Sequence, residues 1–182
     1  MWLGKRLDYY NDMYNLQVKH GISRAQNHFV ALELANMSLA LLANDKRRFK
    51  KSIEQWKTTL DSINPDGSFP EEAIRGDWAI NYTSSTIAGL LRMVRIIKVQ
   101  GYDLFSDDIY FEKYKKSINF LIKSITNHDN ILIYAKKNYR AYSNNFKEQD
   151  SSFLPRTLRL LVLDTFIQNN PKMFKKLLTL EI

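Results

Sequence analysis

The residues of this chain that could do chemistry gather in two short segments. Gln26, Asn27 and His28 stand directly before its most apolar stretch, FVALELANMSLALLA at 29–43. Polar side chains at the start of a buried helix either cap it or line a cleft at its end. The simplest role is capping by Asn27, with His28 as a neighbour. The second segment, EEAIRGDWAINY at 71–82, carries Arg75, Asp77, Trp78, Asn81 and Tyr82 on a stretch read as a loop between helices, where functional groups concentrate. A structural role is open here too, with Arg75 paired to Glu71 or Glu72 and Trp78 plugging the core. Amide, imidazole, guanidinium and phenol together offer hydrogen-bond donors, one permanent cation and two groups able to exchange a proton.

Other chemistries find little support. His20, His28 and His128 form no His-x-x-x-His or Glu-x-x-His pair, so no metal site is expected. The absence of cysteine excludes disulfides, thiolate-bound zinc, iron–sulfur clusters and a cysteine nucleophile. Neither a phosphate-binding glycine loop nor a Gly-x-Ser-x-Gly elbow occurs, and no cofactor is expected. The 27 Lys+Arg exceed the 19 Asp+Glu by eight, which points to a polyanionic partner: nucleic acid, anionic lipid or acidic polysaccharide. Arg92, Arg95 and Lys98 form a basic stripe read as a solvated face. Lys136, Lys137 and Arg140 among Tyr134, Tyr139 and Tyr142 read as an exposed amphipathic segment that can also stack sugars or bases.

The elements that must hold these groups follow a helical period. Leu3, Leu7, Tyr10 and Tyr14 form one amphipathic stripe, and 29–43 predicts a helix covered on both sides. Asn44 and Asp45 break the pattern and cap a helix over 46–63, with Phe49, Ile53, Trp56, Leu60 and Ile63 inward. NPDGSFP at 64–70 is a loop, taken to continue to Asn81. A helix over 83–99 stops at Gly101, another begins after Ser106–Asp108, and a last long one is capped by Ser151 and Ser152, with Pro171 setting off a short final helix. Segment 127–150 has no clear assignment, and ILIY at 131–134 is its longest strand-like run. The fold class is all-α, stacked helical hairpins, with 1–182 as a single domain. The opening MWLGKRLDYYNDMY has no apolar core of a signal peptide, and no stretch is apolar enough to span a membrane.

Asn27-His28, then Asp66-Gly67-Ser68-Phe69-Pro70-Glu71-Glu72-Ala73-Ile74-Arg75-Gly76, then Tyr82 resemble the alginate lyases of polysaccharide lyase family five. That family opens a buried helix with Asn-Asn-His and follows with D-G-x-x-P-x-E-x-x-R-G and a Tyr seven residues after the Arg. Arg75 lies 47 residues after His28, and Tyr82 seven after Arg75. The likeness covers roughly 22–105. Gln26 replaces the first Asn of the motif, and Asn81 and Thr83 flank Tyr82 where His is more common. The motif starts close to the amino terminus, so the chain is expected to match the carboxyl-terminal portion of the family's domain.

The resemblance implies part of an (α/α) toroid, an acidic polysaccharide (alginate or polymannuronate) as partner, and a periplasmic or secreted setting. It implies β-elimination: C5 of a uronate loses a proton and the 4-O-glycosidic bond breaks. Asn27, His28 and Arg75 would neutralise the uronate carboxylate as the enolate develops, while Gln26, Trp78 and Asn81 would bind substrate. Tyr82, with an ordinary pKa of about 10, would serve as base once Arg75 or a protonated His28 favours its phenolate, and then as acid. His28 is the alternative base. Two other functions stay open: a non-catalytic polysaccharide-binding or remnant form, self-associating through exposed helix faces, and, more distantly, a basic helical nucleic-acid binder.

Overall fold

The computed structural model describes residues 2–20, 26–135, 148–152 and 154–162, and among them all regular structure is helical. The helices are α1 (Trp2–Lys19), α2 (Asn27–Leu42), α3 (Lys46–Asp61), α4 (Pro70–Ala73), α5 (Ala79–Val99), α6 (Asp108–Thr126), α7 (Asp129–Ala135) and α8 (Leu154–Val162), with single 3-10 turns at Gly76–Trp78 and Leu104–Ser106. The chain is therefore all-α. The continuation of the last helix, Pro171 and the basic–aromatic run 136–142 lie outside the described residues.

The turn between α2 and α3 forms as the sequence predicts. Asn44 takes a left-handed φ of 52°, which Asn tolerates better than most residues. Asp45 then accepts the Arg48 N–H at 3.0 Å and caps α3. Phe49, Trp56 and Leu60 are buried, with Ile53 and Ile63 partly so. Helix α2 packs against α1 and α3 and, on another side, α5. Tyr14 of α1 meets Phe29 edge-on at 4.9 Å. The indole N–H of fully buried Trp56 donates to the Leu90 carbonyl at 3.2 Å, satisfying the polar atom that burial would otherwise strand. Phe49 stacks near Tyr102, beyond the end of α5, while Trp56 sits at Leu90. These pairs run in opposite senses, so α3 is antiparallel to α5, and α2, its hairpin partner, lies parallel to α5.

Two expectations are corrected, and one unassigned run is placed. Helix α5 starts at Ala79 rather than 83, and α4 and a 3-10 turn replace most of the presumed loop. ILIY belongs to α7, with Ile131 and Leu132 buried and Tyr134 donating to Asp66 Oδ2 at 2.9 Å. Arg92 and Arg95 are half-buried rather than a solvated face. Arg95 donates to the Leu160 carbonyl at 3.1 Å and ties α5 to α8. Burial, then the charges of Arg156 and Arg95, lowers the pKa of Arg92.

The 64–70 loop is built against α6. Gly67 has φ +94°, and a Cβ there would collide with the Lys116 carbonyl. The Asp66 side chain accepts from the backbone and hydroxyl of Ser68 at 2.9 and 2.8 Å, closing the turn. This loop delivers Pro70, the first residue of α4, and so aims Glu71, Glu72 and Arg75 at the start of α2.

Candidate active site

Two chain segments 45 residues apart meet at the amino end of α2. The Asn27 N–H donates to Glu72 Oε1 at 2.5 Å, and Gln26 Nε2 donates to Glu71 Oε2 at 3.2 Å. Asn27 is therefore not the cap: Gln26 occupies that position without a side-chain capping bond, and a remote carboxylate takes over the task. The first N–H groups of a helix have no internal partner and attract negative charge, so Glu72 suits the place. It is fully buried, and that burial pushes its pKa from the ordinary 4.5 up to about 7 against the opposing pull of the Asn27 N–H and Arg75.

Arg75, itself buried, lies with its guanidinium carbon 4.1 Å from the ring centre of Tyr82. The Trp78 ring flanks the same phenol at 5.9 Å and 34°. Trp78 and Tyr82 are each half-buried, so Trp78 is not enclosed as a core plug would be. Positive φ (64°) at Gly76 lets the chain turn between Arg75 and α5. Tyr82 thus sits on the first turn of α5, a rigid element, and not on a loop.

Across from these groups His28 keeps open surface. Desolvation first and the Arg75 charge second lower its pKa below the ordinary 6.5. The imidazole is therefore neutral near neutral pH, with one N–H to donate and one lone pair to accept. A protonated His28 is disfavoured, so the cation beside the phenol is Arg75 alone of the two. Asn27 itself is half-buried, and its Oδ1 is buried without a hydrogen-bond partner.

Asn27, His28, Arg75, Trp78 and Tyr82 are thus drawn to the ends of two parallel helices. Asn81 is not part of their surface. It is fully buried, and its amide donates to Asp150 Oδ1 at 2.5 Å and Ser152 Oγ at 3.0 Å. A residue with no exposed surface cannot touch a polymer, so Asn81 anchors segment 148–152 instead of binding substrate. Gln26 is also buried and acts through Glu71. Sequence reasoning missed Gln149, whose Oε1 accepts the Ile80 N–H at 3.2 Å and whose Nε2 donates to the Gly76 carbonyl at 2.9 Å. It gave Glu72 only the role of a possible ion-pair partner of Arg75, although Glu72 stands in the quoted motif.

A separate groove of ≈ 570 Å³ lies between α1, α2 and α3, lined by Tyr14, Glu33, Asn36, Arg47 and Lys51 among others. None of the clustered residues lines it. Among the described residues no group of three or more His, Asp or Glu is arranged to hold a metal ion, and no helix is long and apolar enough to cross a membrane.

A family model described as alginate lyase matches residues 1–131 of the chain. The chain is also similar to a protein described as a polysaccharide lyase from Stenotrophomonas maltophilia (strain K279a). The two are 26% identical over 83 residues, which is 46% of this chain and 25% of that protein. The chain therefore spans about a quarter of the length of the curated relative that it matches.

Proposed function

This chain belongs to the alginate lyase family, and from that premise we propose that it is a polysaccharide lyase cleaving poly(mannuronate) by β-elimination. The observation that carries this reading is the stack of Arg75 on Tyr82 at 4.1 Å, next to Trp78 and within electrostatic reach of His28. It sets a carboxylate-seeking cation against a phenol on a helix start held by buried contacts.

The difficulty of the reaction is that an ionised carboxylate already sits beside C5, so removing the C5 proton adds charge to charge. Arg75, the Asn27 amide and the His28 N–H lower that cost by donating to the carboxylate oxygens as the enolate develops. Tyr82, as phenolate beside the guanidinium, takes the C5 proton. Electrons from the C–H bond form the C4–C5 double bond, the C4–O bond breaks, and the Tyr82 phenol returns its proton to the leaving oxygen. Neutral His28 is the base for the opposite C5 stereochemistry. Trp78 offers a ring face to the sugar.

The same reading makes 1–182 part of one (α/α) toroid domain, with acidic polysaccharide as partner and a periplasmic or extracellular setting. The test is ultraviolet absorbance of the conjugated unsaturated uronate, with polymannuronate and either the wild-type chain or Tyr82→Phe. A rise that the folded variant abolishes is the expected result. No rise from folded wild-type chain overturns the lyase reading, and retained oligouronate binding would then identify a non-catalytic binder.

A further inference from the structure

Glu72 has no task in the chemistry above, yet it is the residue through which the two halves of the site touch. Its carboxyl group is fully buried, accepts the Asn27 N–H through Oε1, and lies within the field of Arg75 three residues on. Its second oxygen is buried too, with the Thr86 hydroxyl of α5 nearby but not in good hydrogen-bond geometry. A carboxyl group buried with so few good hydrogen bonds is costly. Removing it would open a gap where α4 and the start of α2 each pack on α5.

We propose that Glu72 is the positioning residue of this site, clamping the start of α2 so that Asn27 and His28 face Arg75 and Tyr82. The inference rests on the proposed lyase reading for its kinetic consequence, while the clamp itself stands on the contacts alone. The Asn27 backbone is held by one charged hydrogen bond to a side chain 45 residues away. Sub-ångström errors in that contact move both the Asn27 amide and the His28 ring, and misplacement of about 1 Å can cost ~10²-fold in rate.

The clamp also carries a charge that works against substrate. The charges acting on Glu72 are Arg75, which favours its ionised form, and Glu71, which opposes it. Helix α2 contributes the Asn27 N–H, and α5 contributes the Thr86 hydroxyl. Helix α7, packed on α4, presents buried Ile131, Leu132 and Ala135, while Tyr134 turns to Asp66 and Asp129 is exposed. An incoming uronate carboxylate competes with ionised Glu72 for the Arg75 charge, so binding favours protonated Glu72.

Two variants and two readouts test this. Glu72→Gln keeps an acceptor for the Asn27 N–H and removes the charge; Glu72→Ala removes both. Expected is a loss of about 10–10²-fold in kcat/KM for Glu72→Ala, carried mainly by kcat. Glu72→Gln should stay close to wild type while losing the dependence of KM on pH near neutrality. Unchanged kcat/KM in a folded Glu72→Ala chain overturns the proposal. The second readout needs no activity: the Asn27 amide resonance should shift with pH around the Glu72 midpoint near 7, and that component should vanish in Glu72→Gln. The shift caused by neighbouring His28 persists in both chains and serves as the internal reference. A wild-type amide lacking that component overturns the clamp even if Glu72→Ala does not fold. A chain that never cleaves polymannuronate but shows the titration leaves the clamp standing and removes only the lyase reading.

Discussion

Arg75 and Tyr82, seven residues apart, are stacked with the guanidinium carbon 4.1 Å from the phenol ring centre. The contact bridges a change of secondary structure, because Arg75 precedes a 3-10 turn and Tyr82 lies in the first turn of α5. The guanidinium is planar and always charged, so it can lie on the ring and still present its N–H fork to a carboxylate. Lysine cannot do both. Arg75→Lys is expected to keep the fold and lower kcat on polymannuronate by about 10²–10³-fold, the size of losing one charge-stabilising donor. Steady-state kinetics beside a circular dichroism melt would check it. A loss confined to KM would mean that Arg75 serves only in binding.

Burial of Glu72 sets a pH dependence of stability with a definite sign. Its folded pKa of about 7 exceeds the ordinary 4.5, so between these values the folded chain binds more protons than the unfolded one. Stability from this group therefore falls as pH rises from about 4.5 to about 7, by on the order of 1–3 kcal/mol. His28, with its lowered pKa, acts in the opposite direction, costing stability as pH falls through its ordinary range. The difference between wild type and Glu72→Gln in urea unfolding across pH 5–8 isolates the Glu72 part. A pH-independent difference would contradict it.

Asn81 separates anchoring from substrate contact. Asn81→Ala removes the donor to Asp150 and Ser152 and leaves a carboxylate without that partner, for an expected loss of about 1–3 kcal/mol. Chemical denaturation measures the loss. KM for polymannuronate should change little at a temperature where the variant is folded; a large KM change with unaltered stability would restore Asn81 to the substrate surface.

Two glycines with similar backbone angles should respond differently to alanine. Gly67 and Gly101 have φ of +94° and +83°, but a Cβ at Gly67 meets the backbone of Lys116 whereas one at Gly101 meets nothing within 4 Å. Gly101→Ala should cost about 1 kcal/mol, the left-handed penalty alone. Gly67→Ala should cost more, by at least about 1–3 kcal/mol of added strain, and should lower lyase activity because the 64–70 loop aims Arg75. Equal melting temperatures for the two variants would show that the loop yields.

What the sequence by itself determined was whatever depends on neighbours a few residues apart. The stripe through Phe49, Trp56 and Leu60, the Asp45 cap and the stop at Gly101 each follow from the helical period or from one residue's backbone preference. The motif residues Asn27, His28, Arg75 and Tyr82 were also legible, since their types and spacing carry the family resemblance. Tertiary structure decided how those residues are held. Helix α5 begins at Ala79 because Gln149, 69 positions downstream, accepts the Ile80 N–H, and α2 begins at Asn27 with Glu72 accepting its first N–H. Helix starts capped from a distance leave no local signature, since any acceptor that packing brings near can satisfy an unpaired N–H. Asn81, whose type and position suggested a substrate contact, points into the protein for the same reason: its partners come from a segment that only the packing of α8 on α5 brings within reach.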